Sequence, residues 1–255
     1  MAPEVFREAV YSLRDWPGIV GIFGGNPCTH PQFPELMKIL EEEIPDQRHR
    51  GLWSNNFLQH GELVRRVFYP AGRFNLNAHG DAAAARAMDR FTPGRVIPSS
   101  KDKPAMHSAI LVDRSDLGVS DSDWVRLREH CDINQRWSAA IAERNGRPHA
   151  YFCEVGAALD GIRGKNNGIP TTPGWWKWKM DRFDNQVRNC CDRGCGVPLS
   201  HRGHLDRDDT YDVSKTWAES DALRGSKGRV SIEVTESNFE TVSMPTDYMR
   251  RFGPK

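Results

Sequence analysis

The chain has no apolar run near the roughly 18 residues that a bilayer-crossing helix needs. Its first residues, Met1-Ala2-Pro3-Glu4-Val5, lead into an amphipathic pattern and lack the form of a secretory signal. There is no internal repeat or low-complexity tract. Net charge is +1 with both signs interspersed, so there is no electrostatic footprint for nucleic acid or an anionic membrane. No Ser-His-Asp pattern, phosphate loop or His-Glu-x-x-His motif is present. These absences leave a protein expected in the cytoplasm, with neither nucleic acid nor membrane as partner. Its 255 residues suffice for one substantial core or two small domains.

Six cysteines are present: Cys28, Cys131, Cys153, Cys190, Cys191 and Cys195. Without a secretion signal they argue against a disulfide framework and for metal or redox chemistry.

The first half alternates helix and strand. Apolar residues recur at helical spacing over 4–16, and Pro17-Gly18 ends that run. Ile19–Phe23 reads as a buried strand, 34–43 as a helix and 51–56 as a short strand ending in small polar residues. A helix at 61–68, a strand at 73–77 and a helix at 82–90 follow. The stretch 91–104 reads as a loop, 107–112 as a strand, and 121–130 as a helix capped by Ser120 or Asp121. This order predicts an α/β fold with a mostly parallel sheet. The alternation stops near residue 125, where a second module is expected. There 136–141 and 149–153 read as strands joined across Glu143-Arg144-Asn145-Gly146, 154–159 as a helix, 164–173 as a loop and 180–187 as a helix. Residues 201–255 read as a polar, partly disordered tail in which only 229–234 alternates like a strand.

Two stretches carry chemistry. The first strand runs into Gly24-Gly25-Asn26-Pro27, a turn where backbone can approach a ligand. The second is the cysteine set. Cys131 and Cys153 flank the hairpin, while Cys190, Cys191 and Cys195 read as lying on a tight glycine-containing loop. Four thiolates so arranged suit an iron–sulfur cluster or zinc, and spacing leaves the two open. Buried, inert cysteines are the simpler alternative for Cys131 and Cys153. His30 reads as a residue capping the turn. His201 and His204 are candidates for a mixed-ligand zinc site or an exposed pair. Trp175, Trp176 and Trp178 read as packing more readily than as a stacking surface for a base.

Gly24-Gly25-Asn26-Pro27-x-x-His30-Pro31-x-Phe33 resembles the Gly-Gly-Glu-Pro-x-x-His-Pro-x-Phe segment of radical S-adenosylmethionine (SAM) enzymes, with Asn26 in place of the Glu. Cys131, Gly146, Cys153 and a later Cys-x-x-x-Cys pair likewise resemble the SPASM/twitch extension of that family. The resemblance implies a partial (β/α)6 barrel over 1–125, lacking its first strand, and a twitch-like module over 126–200. It also implies SAM binding by Gly24, Gly25, Asn26 and Pro27, with Ser54 and Asn55 near the ribose. One auxiliary 4Fe–4S cluster would lie on Cys131, Cys153, Cys191 and Cys195, with Cys190 the spare. A small-molecule or peptide substrate and an electron-donor protein would be partners. The family's SAM-cleaving Cys-x-x-x-Cys-x-x-Cys loop is missing, and its place would fall before Met1. The chain is therefore expected to be N-terminally truncated or to have lost the reaction, and to be inactive alone, with its catalytic residues unassigned. A non-catalytic zinc- or cluster-stabilised binding module is the alternative from another class.

Overall fold

The computed structural model describes residues 1–78, 81–97, 110–129, 139–196, 212–221 and 229–230. The fold is mixed α/β. Two compact units share the chain: Met1–Ala105 with Ser138–Val187, and Met106–Trp137 with Arg188–Lys255.

The first unit opens with α1 (Pro3–Tyr11), where Pro3 takes a first-turn position that tolerates a missing N–H. A parallel sheet follows, with strands β1 (Val20–Ile22), β2 (Arg50–Ser54), β3 (Arg73–Asn77) and β4 (Val96–Ile97) adjacent in sequence order. Parallel neighbours need a crossover. The crossovers here are α2 (Phe33–Glu43), α3 (Gly61–Phe68) and α4 (Ala82–Asp89). One core holds Val20, Leu52 and Leu76 from the strands with Met37 and Leu40 of α2, Val64 and Val67 of α3 and Met88 of α4. Asp81 starts α4 by accepting hydrogen bonds from the N–H groups of Ala83 and Ala84.

Arg50, at the start of β2, is 6% exposed. Its guanidinium donates to the carbonyls of Ile44 (2.7 Å), Pro45 (2.7 Å), Val67 (3.0 Å) and Glu41 (3.5 Å). Those carbonyls come from the ends of α2 and α3, where backbone acceptors lack intrahelical donors. One side chain thus ties two crossovers to the strand between them.

The chain continues through β5 (Ile110–Leu111) and α5 (Asp121–Glu129) of the second unit and returns to the first in a hairpin. Strands β6 (Ala140–Arg144) and β7 (Arg147–Tyr151) pair antiparallel, and β8 (Ile169–Pro170) adds to β7. The hairpin turn is Asn145-Gly146, with φ of 52° and 71°. Positive φ at both central residues matches the right-handed strand twist, and Asn-Gly accepts it at least cost. Helix α6 (Glu154–Ile162) follows, and Trp175 and Phe183 pack on Ala150. The hairpin joins α1 directly: Trp175 Nε1 donates to Ser12 Oγ at 3.2 Å, and Trp16 meets Trp176 edge-on at 5.1 Å. Asp160, fully buried, accepts from Tyr151 Oη at 2.6 Å and from Asn167 Nδ2 at 2.5 Å.

In the second unit β9 (Asp212–Val213) lies between β5 and β10 (Arg229–Val230), all parallel. Asp116 accepts from Thr216 N, Thr216 Oγ1 and Ser214 Oγ at the start of α7 (Lys215–Ala218). Ser120 accepts from Asp123 N at 3.1 Å and begins α5.

Six expectations change. The 164–173 loop contains β8, and the 201–255 tail contributes β9 and α7. The 91–104 loop contains β4, whose two residues are too few for a periodic signal. Residues 110–111 extend the sheet of the second unit, pairing with β9 and not with β4. The first hairpin strand runs on to Arg144, which tightens the turn to two residues. The 180–187 helix is a 3-10 turn (Met180–Phe183), a short α turn (Asp184–Gln186) and a π-helical turn (Val187–Cys191). Cys190 and Cys191 therefore sit on a helical turn and not on a loop.

Replacing Arg50 with Met should leave those buried carbonyls unmet and lower stability by about 3 kcal/mol. A urea-unfolding midpoint unchanged from the native chain would remove Arg50 as the tie.

Candidate functional site

The apolar run of β1 ends in Phe23-Gly24-Gly25. Gly24 has φ of 118° and Gly25 of 56°, values that L side chains adopt at a cost. Ideal Cβ atoms at either position would meet nothing within 4 Å, so the turn opens onto free space. The glycines serve backbone conformation here, and the space beside them is left clear.

Asn26 follows, half-buried, and its carboxamide is engaged through both its oxygen and its nitrogen. Oδ1 accepts from Ser54 Oγ at 2.8 Å and from the N–H of Cys28 at 3.3 Å. Nδ2 donates to the Asn56 carbonyl at 2.8 Å. Ser54 is the last residue of β2, so this one amide joins the C-terminal ends of two adjacent parallel strands. Ser54 Oγ in turn accepts from Asn56 N at 3.2 Å. Pro27 then opens a 3-10 turn (Pro27–Thr29), with Asn26 as its cap. The Gln59 side-chain amide donates to the Cys28 carbonyl and ties a third segment to the turn. His30 Nδ1 accepts from Gln32 N at 3.1 Å, a turn cap as the sequence reading favours.

The structure thus brings Gly24, Gly25, Asn26, Pro27, Ser54 and Asn55 to the same edge of the sheet, with Asn55 exposed there. In open α/β sheets this carboxyl edge is where ligands bind. The chemistry also accounts for an amide at position 26. A carboxylate could not donate to the Asn56 carbonyl and would set a negative charge against that oxygen.

Cys28 lies fully buried beneath the turn, its Sγ 3.6 Å from Ser54 Oγ. Burial pushes its thiol up to about 11, with the Ser54 contact lowering it in part. It is a packed small hydrophobe that supports the turn from below, a role that its position in the sequence does not announce.

The cysteine set divides differently. Cys131, His201 and His204 lie outside the described residues. Cys153 is the N-cap residue of α6 in the first unit. Cys190, Cys191 and Cys195 belong to the second unit, where Leu111 and Cys195 form an antiparallel bridge. The carbonyls of Gly194 and Asp192 accept from Val112 N and Arg114 N. Asp192 further accepts from Trp124 Nε1 at 2.9 Å and from Arg128 Nη1 at 3.2 Å. This lattice holds the segment between Cys191 and Cys195. Among the described residues no three His, Cys, Asp or Glu side chains gather as a metal site. Glu154, beside Cys153, is partly buried, and desolvation raises its carboxyl above the usual range.

Trp175, Trp176 and Trp178 serve packing. Trp175 is buried, Trp178 meets Phe183 at 6.1 Å, and Lys177 and Arg182 lie over the rings of Trp176 and Trp178. No helix among the described residues is long and apolar enough to cross a membrane.

No family model, curated protein or solved structure matches this chain.

Two outcomes are expected at the turn. Asn26→Asp keeps the shape but loses the donor to Asn56, and should cost about 1–3 kcal/mol at neutral pH. Thermal unfolding checks this, and an unchanged midpoint would show that the amide is not the strand tie. Cys28 in the folded chain at pH 8 should resist iodoacetamide, because its thiol is protonated and buried. Peptide mapping should find it alkylated only after denaturation.

Proposed function

We propose that this chain is the body of a radical SAM-type protein, in which the β1–β2 strand ends hold S-adenosylmethionine. The observation that carries the reading is the Asn26–Ser54 hydrogen bond of 2.8 Å at the carboxyl edge of a parallel sheet. It supports a ligand turn built from the two strand ends that the Gly-Gly-x-Pro resemblance implies. Four strands in sequence order, with a helix after each of the first three, are what part of a (β/α)6 barrel would contain. Gly24 and Gly25 leave room for a ligand against bare backbone, Asn55 supplies an exposed polar group beside it, and Ser54, buried, holds the turn through Asn26.

In that reading Gly24, Gly25, Asn26 and Pro27 hold the amino acid end of SAM. With its carboxamide engaged between strands, Asn26 would contribute by shaping the turn, leaving backbone groups to meet the ligand. Reductive cleavage of SAM to a 5′-deoxyadenosyl radical needs a three-thiolate cluster loop, Cys-x-x-x-Cys-x-x-Cys. This chain lacks that motif, so by itself it binds SAM without cleaving it. A small-molecule or peptide substrate and an electron-donor protein would complete the system.

The auxiliary 4Fe–4S cluster belongs to the same proposal on the resemblance of Cys131, Cys153, Cys191 and Cys195. The described residues do not form a cluster site, and no chemical step is assigned to one.

Two measurements test the proposal. Titration calorimetry with SAM should show binding, weakened at least tenfold by Gly25→Val, which forces a β-branched residue to a positive φ. Absence of binding by the native chain would refute the SAM site. Anaerobic reconstitution should yield about four irons with matching sulfide per chain, lost in Cys153→Ala. One zinc per chain would instead make the cysteines a structural site, and a metal-free chain would end both metal readings.

A further inference from the structure

Of the two faces of the parallel sheet, one belongs to the core among the described residues. Residues alternate along each strand, and the register sets Val20, Ile22, Leu52, Phe74, Leu76 and Val96 toward the helices. Gly21, Gly51, Trp53 and Asn75 alternate onto the opposite face. Two glycines inside adjacent strands weaken a sheet, and often mark a close approach. Neither has a positive φ, so neither is there for backbone freedom.

Their space is taken by the Trp53 ring, with the Ile19 Cγ2 methyl also 2.7 Å from an ideal Cβ at Gly51. Ideal Cβ atoms would lie 2.7 Å (Gly21) and 2.5 Å (Gly51) from ring carbons of Trp53. The Trp53 indole therefore lies across both backbones. It is partly exposed and stands outside the helix-side core. Among the described residues the ring has no aromatic or cationic partner. Asn75 pairs with Trp53 in register and is exposed, so its carboxamide offers a donor and an acceptor beside the ring. Phe23 continues the same alternation past β1 and is 49% exposed.

We infer that Trp53 is a stacking platform for the planar base of a nucleoside ligand, seated on Gly21 and Gly51 and flanked by Asn75. The inference deepens the ligand-binding reading of the 24–27 turn and rests on it. A base has a π-face for the indole and a donor–acceptor edge for a carboxamide, whereas an aliphatic ligand would use neither.

The test uses the full chain with labelled indole nitrogens, adenosine as the nucleoside probe and methionine as the probe of the turn. Trp53→Phe identifies the Trp53 indole resonance among the eight tryptophans. Adenosine should shift that resonance. Trp53→Ala should weaken adenosine binding at least about fivefold, while Trp53→Phe, which keeps a ring, should stay within about threefold of the native chain. If adenosine leaves the Trp53 resonance in place, or a folded Trp53→Ala chain binds it as well as the native one, the platform is overturned. Should Trp53→Ala not fold, the native resonance and the Trp53→Phe affinity decide. Methionine shifts at the Gly24 and Gly25 amides report the turn separately. Unmoved glycine amides with a shifted Trp53 would remove the turn reading and keep the platform.

Discussion

A guanidinium buried at the base of β2 sets the frame for the first unit. Taking a charge out of water is costly unless hydrogen bonds replace the solvent, and Arg50 finds them only where the ends of α2 and α3 expose free carbonyls. The three elements must therefore arrive together. Once they do, β2 is anchored at its N-terminal end, and its register sets Leu52 beside Ile22 of β1 and Phe74 of β3.

At the opposite end of the same strand a neutral group does the comparable work. The Asn26 carboxamide spans from the β1 turn to Ser54 and Asn56, accepting from one and donating to the other. Anchoring β2 at both ends leaves its middle rigid. Two consequences meet there: a glycine turn held open on clear space, and an indole laid across Gly21 and Gly51. A site on strand ends fixed in this way keeps its geometry better than one on free loops.

The hairpin is joined to this frame through α1. Ser12, Leu13 and Trp16 meet the Trp175-Trp176 segment, so the element that starts the chain packs with residues far along it. The second unit is assembled on similar lines, from segments distant in sequence. Asp116 caps a helix that begins at Lys215, and Asp192 holds Trp124 and Arg128. Interleaving of this sort leaves no composition break, because each segment carries an ordinary mixture of apolar and polar residues.

Local chemistry was enough for much of the molecule. Amphipathic spacing marks α2, α3 and α4, alternation marks β3, and Asn145-Gly146 marks the hairpin, since helix period and turn conformation are properties of neighbouring residues. The Gly24-Gly25-Asn26-Pro27 turn and the polar end of β2 were legible in the same way, each as a strand end. That Asn26 and Ser54, 28 residues apart, bond to one another was decided by the parallel pairing of β1 with β2. So were the two-residue strand β4, the partner of β5, the helical turn under Cys190 and Cys191, and the division of the cysteines between two units. A pairing partner or a burial is a long-range relation, and no window of sequence contains both of its members.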